Sequence, residues 1–287
     1  MDLAWKRRGG CYGSRMDVAT YLDRIGLTAT PPVTAPGLAQ LHRAHAAAIP
    51  YEGLDIQLGH PLDLDPVRIF DKLVRRRRGG WCYENNGLLG WALGALGFDV
   101  QRWVAGVYRR ERGDAALGNH LMLLVHLDEP MVCDLGLGDG LRAPVPLRAG
   151  THVDGDLVFR LEHLPDGFWR FHNHPAGSPA SFDFTNAPAD EGLLLATNHR
   201  LQSDPQSHFV LNAEAIRMTP DGSTTLLGRV LRRLGPDGLT KTLITGPDHM
   251  TSVLTDEFGI TGVDCAAIWP RILARHAALF DDADPAS

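Results

Sequence analysis

From Gly87 to Phe98 the chain reads GLLGWALGALGF, an apolar run with Leu89, Leu93 and Leu96 on one helical stripe and Gly97 as its stop. Three shorter helical patterns precede it. Tyr21, Leu22 and Ile25 form one turn set that ends at Gly26, and residues 38–45 form a second that stops at Ile49-Pro50. A third runs from Pro66 to Arg75 with Val67, Phe70, Leu73 and Val74 inward, while residues 51–56 read as an extended or irregular link. After Gly97 the period changes to two. Residues 98–108, 120–126 and 131–140 read as strands, the last loosening into glycines, and strand-like pieces recur at 157–163, 168–172 and 182–184. Short strands at this spacing predict an antiparallel barrel or sandwich.

In the last third, Pro-Asp-Gly turns at 220–222 and 236–238 separate the strand-like runs FVLNAEAIRM, TTLLGRVLRRL and LTKTLIT. Residues 248–258 then read as a helix with Met250, Val253, Leu254 and Phe258 on one face. A closing helix spans 268–279, and the acidic tail after it is expected to fray. The fold class is α+β, with no internal repeat.

Composition narrows the function. The 287 residues are 44% hydrophobic and 22% charged, enough to bury a sizeable core. A net charge of −6 argues against a nucleic-acid partner, and no apolar run is long enough to span a membrane. The four cysteines, Cys11, Cys82, Cys133 and Cys265, are widely spaced without a CxxC pair. That is neither a disulfide framework nor a zinc site, no metal is expected, and a reducing cytoplasm fits. Residues 1–15 are basic and glycine-rich without a signal-peptide core, so they read as a disordered extension, with Met16 an alternative start.

The stretch Arg77-Arg78-Gly79-Gly80-Trp81-Cys82-Tyr83-Glu84-Asn85-Asn86 carries the chemistry. An intracellular cysteine is most often a small buried hydrophobe. Cys82 differs because it falls at the N-terminus of a buried helix, where free N–H groups and the helix dipole favour a thiolate. The glycines before it allow backbone and substrate to approach closely. Arg7-Arg8-Gly9-Gly10-Cys11-Tyr12 echoes these letters but lacks the apolar helix behind it. The run Arg75–Arg78 reads as a solvated helix end rather than a nucleic-acid patch.

A thiol nucleophile needs a base, and the base needs an orienting group. Among 13 histidines, His120 opens a buried apolar strand after Gly118-Asn119, so it can point into a cleft. His172-Asn173-His174 lacks a third ligand and reads as a solvated loop. Asp134 stands in an apolar strand, where an unpaired carboxylate costs several kcal/mol, so His120 Nδ1–H is its expected partner; capping of local backbone is the alternative. Antiparallel register permits the pair without requiring it. Direct opposition centres the connection on residue 127, whereas a tight turn at 128–130 puts Asp134 opposite Leu124, about 13 Å along the strand from His120. The pair therefore needs a wider loop, a bulge or a diagonal approach.

RRGGWCYENNGLLGWALGALGF resembles the cysteine motif of the arylamine N-acetyltransferases, especially the actinobacterial ones. YLDRIG, LHRAHAAAIPYEGLDI, GNHLMLLV, DLGLGDG, SFDFT and QSHFVLN match in order, so the similarity runs from about Tyr21 to Phe258. The resemblance implies a helical domain over 16–97, an antiparallel β-barrel domain over 98–205 and an α/β lid over 206–287, around a cysteine-protease-like catalytic core. It implies Cys82 as nucleophile, His120 as base and Asp134 as orienter. It also implies acetyl-coenzyme A as co-substrate, against Asn119, Gly136, Leu137, Gly138 and Phe209, and an arylamine, arylhydroxylamine or hydrazine acceptor in a pocket of Tyr51, Trp81 and Leu137. A homo-oligomer is compatible with it.

Four positions depart from the family pattern, among them Asn119, where a small or hydroxylated residue is common. Leu137 stands where an aromatic residue is usual, Tyr51 where phenylalanine is common, and Gly53 where asparagine is common. These leave the acceptor open. The rival readings are an amide synthase of the same fold that closes a macrolactam from a carrier-tethered acyl chain, a hydrolase or transglutaminase-like enzyme, and a binding protein that keeps only the fold.

Overall fold

The computed structural model describes residues 16–219 and 221–280. The extension at 1–15, the Cys11 motif, Pro220 of the first Pro-Asp-Gly turn and the acidic tail lie outside the described residues.

The helices begin where the sequence supplies caps. Asp17 accepts from Thr20 N at 2.8 Å and starts α1 (Val18–Arg24), and the Thr34 hydroxyl accepts from Gly37 N to start α2 (Ala35–Ala48). β1 (Tyr51–Glu52) and α3 (Leu54–Gln57) replace the expected irregular link. α4 (Pro66–Phe70) starts with proline in its first turn and widens over Asp71–Arg75 into a π-type turn. α5 spans Cys82–Ala95 and ends at Leu96, with Gly97 at φ 94° providing the left-handed residue that no side chain adopts cheaply. Leu88, Leu89, Ala92 and Leu93 bury this helix against Leu38, Leu41, Phe70, Leu123 and Val125. Each buried leucine contributes about 1.5–3 kcal/mol, so the helix that carries Cys82 is firmly seated.

β2 (Asp99–Val107) leads through α6 (Arg109–Arg112) to β3 (His120–His126) and β4 (Met131–Cys133). The 131–140 strand is thus shorter than its pattern suggests, because the glycines from Gly136 onward form a loop. β5 (Val145–Pro146), β6 (Gly150–Asp154), β7 (Leu157–His163), β8 (Trp169–His172) and β9 (Ser181–Pro188) complete an antiparallel sheet ordered β5-β4-β3-β2-β9-β8-β7-β6. Its two edges are consecutive in sequence, which gives a nearly closed barrel filled by Trp103, Met122, Phe159, Phe171, Phe182 and Phe184.

α7 (Glu191–Ser203) is a helix with no clear signal in the sequence pattern, capped by Asp190 accepting from Gly192 N and Leu193 N. FVLNAEAIRM is not one strand: His208–Leu211 is a short helix, α8, and β10 begins at Glu214 (Glu214–Thr219). TTLLGRVLRRL is likewise a hairpin, β11 (Gly222–Leu227) and β12 (Val230–Gly235), turning at Gly228 with φ 57°. β13 (Gly238–Leu243), α9 (Pro247–Phe258) and α10 (Cys265–Phe280) follow. The second sheet runs β1-β10-β11-β12-β13, so a strand from the helical part of the chain joins the C-terminal sheet. The whole is α+β: helices, a barrel and an α/β layer meet around the start of α5.

Candidate active site

The turn before Cys82 is built by close approach. A Cβ on Gly79 would lie 2.4 Å from the Pro50 carbonyl oxygen, and one on Gly80 would lie 2.7 Å from Glu84 Cβ. Gly80 N donates to Pro50 O at 3.1 Å and Glu52 N donates to Gly80 O at 3.0 Å, which stitches this turn to β1. Trp81 N donates to Glu84 Oε2, and Cys82 begins the helix.

The arginine run is only partly a solvated helix end. Arg78 is buried and bonds Glu52 at 2.8 Å and Asp55 at 3.1 Å, while buried Lys72 bonds Glu84 at 2.9 Å and Asp55 at 3.1 Å. Burial opposes the Lys72 charge, but Glu84, Glu52 and Asp55 outweigh it and raise its pKa. The network braces the nucleophile turn from behind.

Cys82, His120 and Asp134 come together, each 2% exposed or less. His120 Nε2 lies 2.8 Å from Asp134 Oδ2. This corrects the expected Nδ1 contact. With Nε2 on the carboxylate, the other ring nitrogen is the one available to Cys82. Burial works against an imidazolium here, but Asp134 and Cys82 outweigh it and push the His120 pKa up to about 10. The Cys82 thiol also faces the Asn119 carbonyl at 3.9 Å.

The register explains how the pair is reached. β3 and β4 pair Leu123 with Cys133 and Val125 with Met131, which carries Asp134 to the level of Met122. That is one pleat repeat from His120, so the contact is diagonal. Asp134 leaves the ladder after Cys133 and is held by others: its Oδ1 accepts from Asn86 Nδ2 at 2.7 Å and Gly136 N at 2.8 Å. Asn86 also donates to Leu121 O and accepts from Leu135 N. Pattern reading missed Asn86 as a site residue, although a buried asparagine in an apolar helix signals a polar obligation.

Gly136 sits directly against the triad. A Cβ there would come within 2.6 Å of Cys82 Cβ and 2.7 Å of His120 Cε1. Gly138 has φ 79°, and a Cβ would meet Ile216 at 2.7 Å. Tyr51, Trp81 and Cys82 share one buried cluster with Phe209 packed against it, and Phe209 meets the Trp81 ring edge-on at 5.0 Å. Gln57 Nε2 fixes that arrangement by donating to Phe209 O, Val210 O and Asn212 O.

Two expected contact residues are otherwise engaged. The side chain of Leu137 packs in the barrel core with Leu141 and Val145. The Asn119 amide bonds both polar groups of Val107, accepting from its N–H at 2.8 Å and donating to its carbonyl at 3.1 Å. His174 is buried rather than solvated, bonding Asp139 O at 2.8 Å, and His172 pairs with Glu162. Among the described residues, no group of three or more His, Cys, Asp or Glu is arranged to hold a metal.

A buried cysteine at a helix start, a histidine charged by a carboxylate, and close-approach glycines suit acyl transfer through a thioester. The N-acetyltransferase family model matches residues 34–266. The arylamine N-acetyltransferase of Mycolicibacterium smegmatis is 36% identical over 284 residues, covering 93% of this chain and 99% of that protein. The chain belongs to the arylamine N-acetyltransferase family. The pineal gland isozyme of Gallus gallus is 31% identical, covering 86% of this chain and 94% of that protein. The solved structure of Mycobacterium marinum arylamine N-acetyltransferase in complex with CoA superposes with a TM-score of 0.79 at 31% identity, over 90% of this chain and 98% of that one. Family membership and the local geometry thus agree on an acyltransferase.

Proposed function

We propose that this protein transfers an acetyl group from acetyl-coenzyme A to an arylamine, arylhydroxylamine or hydrazine by a ping-pong mechanism, with Cys82 as nucleophile, His120 as base and Asp134 as orienter. The observation that carries the reading is the contiguous Cys82–His120–Asp134 set, in which the 2.8 Å carboxylate contact raises the imidazole pKa to about 10.

At neutral pH His120 accepts the Cys82 proton, and Asp134 holds the resulting imidazolium. The thiolate attacks the acetyl carbonyl, the negative charge on oxygen is met by N–H groups at the start of α5, and coenzyme A leaves as a thiol that takes the His120 proton. Exchange of one thioester for another is nearly isoenergetic, which suits sulfur. The acceptor nitrogen then attacks the acetyl-cysteine while His120 removes its proton, and the amide departs as Cys82 is regenerated. A weakly basic arylamine is neutral at pH 7 and attacks without prior deprotonation.

The acceptor pocket is assigned to Tyr51 and Trp81, which cluster with Cys82, and to Phe209, which the resemblance puts on the donor side but which packs against that same cluster. Asn119, Gly136, Leu137 and Gly138 serve the donor side through backbone, since the Asn119 and Leu137 side chains are engaged elsewhere. No helix among the described residues is long and apolar enough to cross a membrane, and Cys82, Cys133 and Cys265 are free thiols. A cytoplasmic location fits both. The test is intact-protein mass spectrometry after acetyl-coenzyme A treatment. One acetyl group on Cys82, discharged by an added arylamine, is the expected result; acetyl retained indefinitely, or none taken up, defeats the reading.

A further inference from the structure

The peptide unit between Gly80 and Trp81 is held at both polar ends by side chains of α5 itself. Its carbonyl accepts from Asn85 Nδ2 at 2.6 Å, and its N–H donates to Glu84 Oε2 at 3.3 Å. Glu84 is in turn fixed by Lys72. Asn85 has its own support. Its Oδ1 lies 3.4 Å from His45 Nε2 on α2, and His45 Nδ1 lies 3.0 Å from the Tyr21 hydroxyl on α1. All three side chains are buried.

The direction of this chain follows from donor and acceptor inventory. Because Asn85 gives its NH2 to a carbonyl, it presents oxygen to His45. His45 must then carry its proton on Nε2, which leaves Nδ1 bare to accept the Tyr21 O–H. Burial pulls the His45 pKa down to about 3, outweighing the Asn85 hydrogen bond, so the ring is neutral in this tautomer at working pH. Nothing in the acyl-transfer steps uses Tyr21, His45 or Asn85.

We propose that Tyr21, His45 and Asn85 are positioning residues that fix the Gly80–Trp81 peptide plane and thereby aim Cys82 and the first N–H groups of α5 at the acyl carbonyl. The glycines at 79 and 80 are required by close approach, but they leave the turn without side-chain anchors of its own. Backbone bonds to Pro50 and Glu52 tie Gly80 to β1, and the relay from α1 and α2 adds a side-chain constraint on the same carbonyl. Misplacement of reacting groups by about 1 Å can cost on the order of 100-fold in rate.

The test uses Tyr21→Phe, which removes one hydroxyl without changing shape, together with His45→Leu and His45→Gln. Three quantities are measured well below each variant's Tm: Cys82 alkylation by iodoacetamide against pH, single-turnover acetylation by acetyl-coenzyme A, and Tm. Tyr21→Phe is expected to slow both thiol reactions about 3- to 10-fold and His45→Leu about 10- to 100-fold. His45→Gln, which keeps a donor toward Asn85, restores most of the rate. Unchanged reactivity in Tyr21→Phe, or equal rates for the Leu and Gln variants at position 45, overturns the proposal even if Tm falls. Alkylation needs no acyl donor, so a chain that alkylates as expected but takes up no acetyl group defeats the assigned reaction and leaves this inference standing.

Discussion

His120 meets Asp134 through Nε2 at 2.8 Å, leaving Nδ1 for Cys82, and the two residues come from adjacent strands one pleat repeat out of register. The histidine is the hub, with a carboxylate behind it and a thiol in front.

Asp134→Asn is expected to lower acetyl transfer by about three to four orders of magnitude, as loss of the orienting carboxylate does in other triads. Stability should depend on pH in a defined direction. The folded His120 pKa of about 10 lies above the ordinary 6.5, so the pair's contribution is complete below about pH 6.5. It is lost as pH rises through about 10. The Tm gap between wild type and Asp134→Asn should therefore be widest at about pH 6.5, narrow as pH rises from there, and close above about pH 10; a constant gap assigns Asp134 a packing role only.

How far this site was legible depended on which interactions are local. The nucleophile turn is written in consecutive letters, because helix start, glycines and cysteine act within one segment. His120 and Asp134 were visible as polar residues in apolar strands, but their diagonal meeting was not. It depends on the length of the 127–130 connection and on Asp134 leaving the ladder after Cys133. Arg78 misled for a related reason. A run of four arginines reads as solvated, and only the return of Glu52 and Asp55 from another segment shows one of them buried. α7 has no clear amphipathic stripe, so periodicity could not announce it.

Gly136→Ala should nearly abolish turnover while the protein still folds. The added methyl would lie 2.6 Å from Cys82 Cβ and 2.7 Å from His120 Cε1, so the reacting pair must separate. Cys82 alkylation by iodoacetamide should fall in parallel. Near-normal alkylation would mean that the 134–142 loop moves aside without disturbing the dyad.

Arg78→Met should destabilise the protein by about 3–5 kcal/mol, since it leaves buried Glu52 without its ion-pair partner and Asp55 with Lys72 alone. Urea unfolding measures this. A loss under 1 kcal/mol would indicate that water enters the adjoining cleft and solvates both carboxylates.

Cys82→Ala should remove all acetyl uptake, and Cys133→Ala and Cys265→Ala should not. Burial, reinforced by Asp134, pushes the Cys133 thiol pKa well up, so that residue is inert despite its place beside the triad. Labelling of either single mutant with radioactive acetyl-coenzyme A checks this. Loss of uptake in Cys133→Ala at an unchanged Tm would implicate it in the chemistry.

Acceptor choice should turn on Tyr51 and Gly53 rather than on the size of Leu137. Leu137 is buried with Leu141 and Val145, and Gly140 packs so closely that its Cβ would meet Leu137 Cβ at 3.0 Å. A phenylalanine there overfills the barrel and should cost about 1–3 kcal/mol of stability. Its effect on acceptors of one ring and of several rings should be similar. Tyr51 instead lies in the cluster of Cys82 and Trp81, and with Asp134 it lines a cavity of about 20 Å³, room for one water. Gly53 faces Phe209, which a new Cβ would touch at an ordinary 3.8 Å, so a larger residue fits there and narrows the approach. Tyr51→Phe should lower kcat/KM for acceptors that hydrogen-bond to the hydroxyl, and Gly53→Asn should penalise multi-ring acceptors more than one-ring ones. Steady-state comparison of aniline with a multi-ring arylamine, at fixed acetyl-coenzyme A, separates these cases. Should Leu137→Phe shift the ratio between the two acceptors while Tyr51→Phe and Gly53→Asn leave it unchanged, the pocket lies on the barrel side of Cys82 instead.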